Sequence, residues 1–345
     1  MRLPAALLAL ALLAPAAAGQ VPSRPAPVPP PVPSRTPAPA APAAPPSSPA
    51  LDSAKVSLLW SRLERAVGDI DARFDGVMGV SIKDLTDGHS LLLHADLVMP
   101  TASTIKVAIL AELYRQEAWA GAGGTGAGAG AAGPARLRDP YVVDSADVVP
   151  GSDMLGGMTP GVTRLTNRDL ATFMMGVSDN GATNVLIQRV GMDRVNRLLD
   201  SLGLRQTRLR RRMLDLEAAR AGRENTATPR ELVALLEALW RGRVVTGALR
   251  DDYFRLLATP KMAYLPRLLP DPARLASKPG WLEGVRVDAG VGLATNRPFA
   301  IAVMTTYAGD ERAAEQAIAE IGLLAWRHFE RLGSASAYGR VVSPR

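Results

Sequence analysis

The 345-residue chain contains no cysteine, which excludes a disulfide framework and any thiolate metal site. Its three histidines, His89, His94 and His328, are too few to point to a His-based metal centre or a Ser-His-Asp triad. No acidic residue precedes residue 51, yet Arg2, Arg24 and Arg35 do. They carry three of the seven net positive charges, leaving +4 for the remainder. That balance is too mild to argue for nucleic acid as a partner. The one long apolar run near the start, Leu3 to Leu13, is too short to span a bilayer comfortably. Because no cysteine follows it, a lipoprotein anchor is excluded as well.

What is present reads in order. Residues 1–19 have the form of a secretory signal, with Arg2 ahead of the apolar run and Ala16-Ala17-Ala18 as a small-residue cleavage site. Residues 20–50 hold 13 of the 28 prolines and read as an extended linker. A folded domain is expected over 51–345. Val56, Leu59, Trp60, Leu63, Val67 and Ile70 predict an amphipathic helix from Leu51 to Phe74. Two strand-like runs follow, Gly76 to Lys83 and Ser90 to Met99. The glycine-rich string 121–133 contains a G-x-G-x-x-G match, but it follows a helix and opens none, so it reads as a surface insertion rather than a dinucleotide site.

From Val142 to Leu202 the pattern is mostly helical, with Thr166-Asn167 capping one helix and Gly191 interrupting another. Arg205 to Glu224 is a basic loop. Thr228-Pro229-Arg230-Glu231 has the composition of a capping box with proline at the first helical position. Arg274 to Lys278, Val285 to Leu293 and Phe299 to Thr306 read as antiparallel strands, closed by a helix from Glu311 to Leu332. Two strands before residue 100 and three after 273 predict an α/β fold. Its five-stranded antiparallel sheet is flanked by helices, and an all-helical subdomain is inserted over about 107–260.

Three short pieces carry the chemistry. Ser103-Thr104-Ile105-Lys106 lies where a strand-like run gives way to a helix, and residues three apart share a helix face. A serine hydroxyl is a weak nucleophile until a neighbour takes its proton, and a lysine in a dry cleft can do so. Ser178-Asp179-Asn180 follows at an interhelical loop, and Lys278-Pro279-Gly280 at the end of a strand. S-x-x-K, S-D-N and K-T-G together mark class A β-lactamases and penicillin-binding proteins. Two pieces match letter for letter and the third has one change.

The chain from about 52 to 335 therefore resembles a class A β-lactamase-like serine hydrolase of the β-lactamase and penicillin-binding protein superfamily. Ser178-Asp-Asn-Gly-Ala-Thr-Asn184 and Asn225-Thr-Ala-Thr-Pro229 support the likeness. The resemblance implies Ser103 as nucleophile, Lys106 as base, and Ser178 as proton relay to the leaving nitrogen. It implies an oxyanion hole from the backbone N–H groups of Ser103 and Trp281. Asn180, Lys278 and Gly280 would line the substrate site, with Arg286 on the neighbouring strand as a further anion contact. No metal or cofactor is implied. The implied partner is a small β-lactam or peptidoglycan-related molecule, met by a monomeric, exported protein (periplasmic or secreted) with no stable membrane span once the signal is removed.

Two departures qualify the resemblance. β-Lactamases of this type carry a glutamate, on the loop before the capping run, that activates the deacylating water. The best ungapped match puts Met213 there, and Glu217 where a loop asparagine helps hold that water. Asp215 or Glu217 could substitute only through a repacked loop, so slow deacylation is expected. Pro279 removes a hydroxyl and a backbone donor from the K-T-G piece, and Trp281 is bulkier than the small residue expected there. A D-Ala-D-Ala-type peptidase or esterase, and a non-catalytic binding module, are the rival readings.

Overall fold

A computed structural model describes residues 52–124 and 133–341. The signal and linker segments, and most of the glycine-rich string, lie outside the described residues. In chain order the elements are α1 (Ser53–Ala72), β1 (Val77–Asp84), β2 (Ser90–Leu93), β3 (Met99–Pro100), a 3-10 turn (Ala102–Ile105) and α2 (Lys106–Gly121). Then come β4 (Pro140–Val142), β5 (Arg164–Thr166), α3 (Asn167–Gly176), α4 (Asn180–Val190), α5 (Met192–Ser201) and α6 (Leu216–Arg220). The chain closes with β6 (Thr226–Ala227), α7 (Pro229–Trp240), α8 (Gly247–Leu257), β7 (Leu275–Leu282), β8 (Val285–Gly292), β9 (Phe299–Thr306) and α9 (Glu311–Gly333).

The predicted five-stranded sheet forms in the order β2-β1-β9-β8-β7, every neighbour antiparallel. Period-2 alternation gives it two apolar faces. Met78, Val80, Ile82, Phe299, Ile301 and Val303 pack with α1 and α9, whose buried stripes include Trp60, Leu63, Val67, Ile318 and Phe329. Val285, Val287, Ala289, Ala300, Ala302 and Met304 join the core built on α2, α4, α5 and α7. The result is a sheet sandwiched between helix layers, with the helical insertion on one face only.

Several boundaries differ from the sequence reading for local reasons. The run from Ser90 stops at Leu93 because His94 takes a positive φ of 46°, which no β ladder continues. Met99 and Pro100 instead pair with Ala227 and Thr226, tying the entry to the 3-10 turn to the exit of the basic loop. Gly191, at φ 84°, separates α4 from α5 as expected. Thr228 caps α7 through its bond from Glu231 N, but the Glu231 carboxylate does not close the box. It accepts instead from Gln206 N, Thr207 N and Thr207 Oγ1, satisfying loop donors that lack a ladder.

One buried group sets a pH limit on stability. His328 of α9 packs 4.5 Å from the Trp60 ring, and its Nε2 has no hydrogen-bond partner among the described residues. Burial, then the positive charges of Arg331 and Arg297, push it from 6.5 down to about 4. The unfolded chain binds this proton more readily, so stability is lost as pH falls from about 6.5 toward 4. The expected loss is up to ~3 kcal/mol. Urea midpoints at pH 7 and pH 4.5 should converge in His328→Leu relative to the parent; an equal acid drop in both would remove His328 as the cause.

Candidate active site

The 3-10 turn that carries Ser103 is held against the edge strand β7. Thr104 Oγ1 donates to Lys278 O at 3.0 Å. Gly280 permits the approach, because a Cβ there would lie 2.7 Å from Ser103 N and 2.8 Å from Thr101 O. Gly280→Ala must therefore push backbone against backbone. We expect it to lose ~1–3 kcal/mol of stability and most acylation of Ser103; thermal melting together with serine labelling checks both.

Ser178 sits in the loop between α3 and α4 with φ 60°, and Ala102, just before Ser103, has φ 47°. Such left-handed residues persist only where their surroundings over-determine them. At Ser178 that role falls to Asp179, which is fully buried. Its side chain accepts from Met154 N, Leu155 N and Ala182 N, capping α4 while pinning a neighbouring turn. The middle residue of the S-D-N piece is thus structural, and its neighbours face the cleft.

Hydroxyls and amines converge on Ser178 Oγ. It bonds Ser103 Oγ at 2.9 Å, Lys106 Nζ at 3.0 Å and Lys278 Nζ at 3.1 Å. Lys106 is fully buried and also donates to Ser178 O at 2.6 Å and to Asn180 Oδ1 at 3.1 Å. A neutral amine has two N–H groups and one lone pair. Two of the three Lys106 partners are pure acceptors and the third is a hydroxyl, so the neutral form satisfies every contact. Burial first, then the charge of Lys278, hold its pKa well below 10.5, with Asp179 pulling the other way. Ser103 and Lys106 are joined through Ser178, where the S-x-x-K spacing alone implied a direct contact.

Lys278 is also buried, and its Nζ donates to Pro279 O at 2.9 Å. Burial and the charge of Lys261 lower it to about 7, against a pull from Asp288. Asn180 spends one amide N–H on Pro150 O and keeps the other.

Ser103, Ser178, Asn180 and Trp281 line one cavity of about 390 Å3 together with Met213, Leu214, Leu216, Arg211 and Asn225. The main chain of Met213 is fixed by Asn184, which accepts from its N–H at 2.8 Å and donates to its carbonyl at 3.2 Å. Arg211 pairs with Glu224 across the neck of the same loop. Two further arginines of the basic loop are tied to its own end or its flanks: Arg208 binds Asp200, and Arg210 binds Glu224 O and Thr226 Oγ1. A larger cavity of about 760 Å3 beside α8 contains none of the predicted site residues.

Three predicted residues fall outside the cluster. Arg286 lies on the opposite face of the sheet. Along β8 it alternates with Val285 and Val287, which enter the helical core, so Arg286 points toward α9 and binds Glu311 and Glu315. Asp215 is exposed and caps α6 through Ala218 N, and Glu217 is exposed; neither lines the cavity. Asp153, exposed on the rim, is the one carboxylate on that cavity among the described residues. The sequence reading passed over it and over Lys261, since neither belongs to a motif.

A five-stranded sheet, a helical insertion and a Ser-Lys-Ser-Lys cluster between them are features of the β-lactamase fold. A model of the beta-lactamase enzyme family matches residues 62–329, and the chain belongs to that family. An imipenem-hydrolyzing beta-lactamase from Enterobacter cloacae is 31% identical over 190 residues, which is 54% of this chain. That match spans 60% of the relative's own length. The crystal structure of a beta-lactamase from Sphaerobacter thermophilus superposes with a TM-score of 0.65 at 31% identity, covering 77% of this chain and 96% of that one. PBP-A shares the fold, with a TM-score of 0.66 at 24% identity over 78% of this chain and 96% of its own. Among the described residues no helix is long and apolar enough to cross a membrane.

Proposed function

We propose that the protein is an exported serine hydrolase that is acylated at Ser103 by β-lactams or related amides and releases the acyl group slowly. The observation that carries this reading is the hydroxyl pair Ser103–Ser178 joined to a buried amine, Lys106, whose contacts suit its neutral form. In the proposed sequence Ser103 Oγ attacks the acyl carbonyl while its proton passes to Ser178 and the proton of Ser178 to Lys106 Nζ. The backbone N–H groups of Ser103 and Trp281 receive the developing oxyanion, a contribution of roughly 3–4 kcal/mol per donor in well-formed sites. The C–N bond then breaks as Ser178 protonates the leaving nitrogen and recovers a proton from Lys106. Asn180 Nδ2 addresses the acyl side-chain carbonyl, and Lys278 the substrate carboxylate.

Slow release follows from the far wall of the cavity. Met213, Leu214 and Leu216 stand there, and a thioether cannot accept a proton from water. The signal-like residues 1–19 support export. A chromogenic cephalosporin in molar excess over the protein should give a burst near one equivalent of protein, then a slow steady state. A steady rate with no burst would overturn slow release, and no reaction at all would overturn acylation. D-Alanine release from a muropeptide without that burst would move the substrate to peptidoglycan.

A further inference from the structure

The expected anion site is depleted in this chain. Pro279 supplies neither a hydroxyl nor an N–H, and Arg286 is engaged by Glu311 and Glu315 on the other face of the sheet. Lys278 remains, with two of its three ammonium donors already directed at Ser178 Oγ and Pro279 O. A single deeply buried cation with one spare donor is a thin receptor for a carboxylate.

A second ammonium faces the same space. Beyond Ser178 and Trp281, which both chambers share, the cleft continues into a cavity of about 440 Å3. Lys261, Tyr264, Lys278 and Pro279 line it. Lys261 lies in the connection between α8 and β7, and its Nζ donates to Leu257 O at 2.7 Å, in the last turn of that helix. A cation at a helix C-terminus is favourably placed. Leu257 O is the one hydrogen-bond acceptor it reaches among the described residues, so two of its three N–H groups remain for a ligand.

The connection itself is anchored. Asp288, fully buried on β8, accepts from Tyr264 N and Leu265 N at 2.9 Å each. Those two bonds fix the backbone three residues past Lys261. Burial lowers the Lys261 ammonium to about 8, with the Asp288 charge opposing, and Lys261 in turn lowers Lys278. Two cations, one buried and one partly buried, that repel one another are stabilised together by an anion that both can reach.

We propose that Lys261 is a specificity-determining residue which, with Lys278, receives the carboxylate of the acyl substrate in this second chamber. This rests on the reading of Ser103 as the acylated nucleophile. Lys261 touches no reacting atom; it holds the leaving-group side of the substrate while Ser103 attacks the acyl carbon.

The test compares benzylpenicillin with its neutral methyl ester as acylating agents for the parent, Lys261→Met and Lys261→Arg. Loss of a charge-assisted hydrogen bond should lower the second-order acylation rate constant of the acid roughly 10- to 100-fold in Lys261→Met. The ester should lose far less, and Lys261→Arg should regain most of the acid rate. Equal losses for acid and ester would reduce Lys261 to a structural residue and overturn the proposal. A second readout does not need turnover: calorimetric titration with benzoate in a Ser103→Ala background. There Lys261→Met should weaken binding about tenfold, and unchanged binding overturns the proposal whatever penicillin does. If the parent binds benzoate in a Lys261-dependent way but penicillin leaves no adduct, the acylation reading fails and the anion site stands.

Discussion

Lys106→Met lowers the rate constant for acylation of Ser103 by roughly two to four orders of magnitude, the usual contribution of a positioned proton acceptor. The parent should show a bell-shaped pH profile. Its acid limb belongs to Lys106: burial and the charge of Lys278 disfavour the ammonium, so the free base is lost as pH falls through a pKa held well below the usual lysine range. Its alkaline limb belongs to Lys278, lowered to about 7, which loses the charge that holds an anionic substrate as pH rises. In Lys106→Met the acid limb should vanish and the alkaline limb remain. Single-turnover stopped flow with benzylpenicillin reads both. Full acylation in the variant would end the role given to Lys106, provided its melting temperature shows that it is folded. Folding is the relevant control because the variant leaves Ser178 O and Asn180 Oδ1 short of a donor, at ~1–3 kcal/mol each.

Met213→Glu has the opposite sense: it accelerates release of the acyl group roughly a hundredfold or more. The geometry favours the experiment. Asn184 holds the Met213 backbone by both its N–H and its carbonyl, so a new side chain at 213 starts from a fixed point on the cavity wall. Leu214 and Leu216 beside it would raise the pKa of the new carboxyl, which suits a base that must first take and then return a proton. Met213→Gln has nearly the same shape and no proton affinity, so it should leave release slow. The gain is measured by following disappearance of the adduct after excess drug is removed. Equal half-lives for the parent, Met213→Gln and Met213→Glu would show that the slow step has another cause.

Much of this was legible in the sequence because it depends on local spacing. The three motif pieces sit at helix starts and a strand edge, positions that caps and periodicity reveal, and the coordinates bring Ser103, Lys106, Ser178, Asn180 and Lys278 close together. Arg286 failed for a different reason. Alternation along β8 shows that it shares a face with Asp288 and opposes Val285 and Val287, but which face α9 covers is a tertiary fact. Asp215 and Glu217 failed because a loop's sequence does not say which residues point inward; α6 starts there and turns both outward.

Lys261 was invisible to the sequence reading. It stands in an irregular connection with no periodicity, and only the Asp288 anchor and the closure of β7 over the 3-10 turn bring it to the cleft. The relay through Ser178 was equally out of reach, since it joins residues 75 and 72 positions apart.

The most direct test of the account is intact-mass spectrometry of the protein at successive times after mixing with benzylpenicillin, followed by peptide mapping. The account predicts a gain of the drug's full mass on the peptide containing Ser103, persisting through many catalytic lifetimes of an ordinary β-lactamase and absent from Ser103→Ala. A mass that never shifts, or an adduct on any other residue, would contradict it.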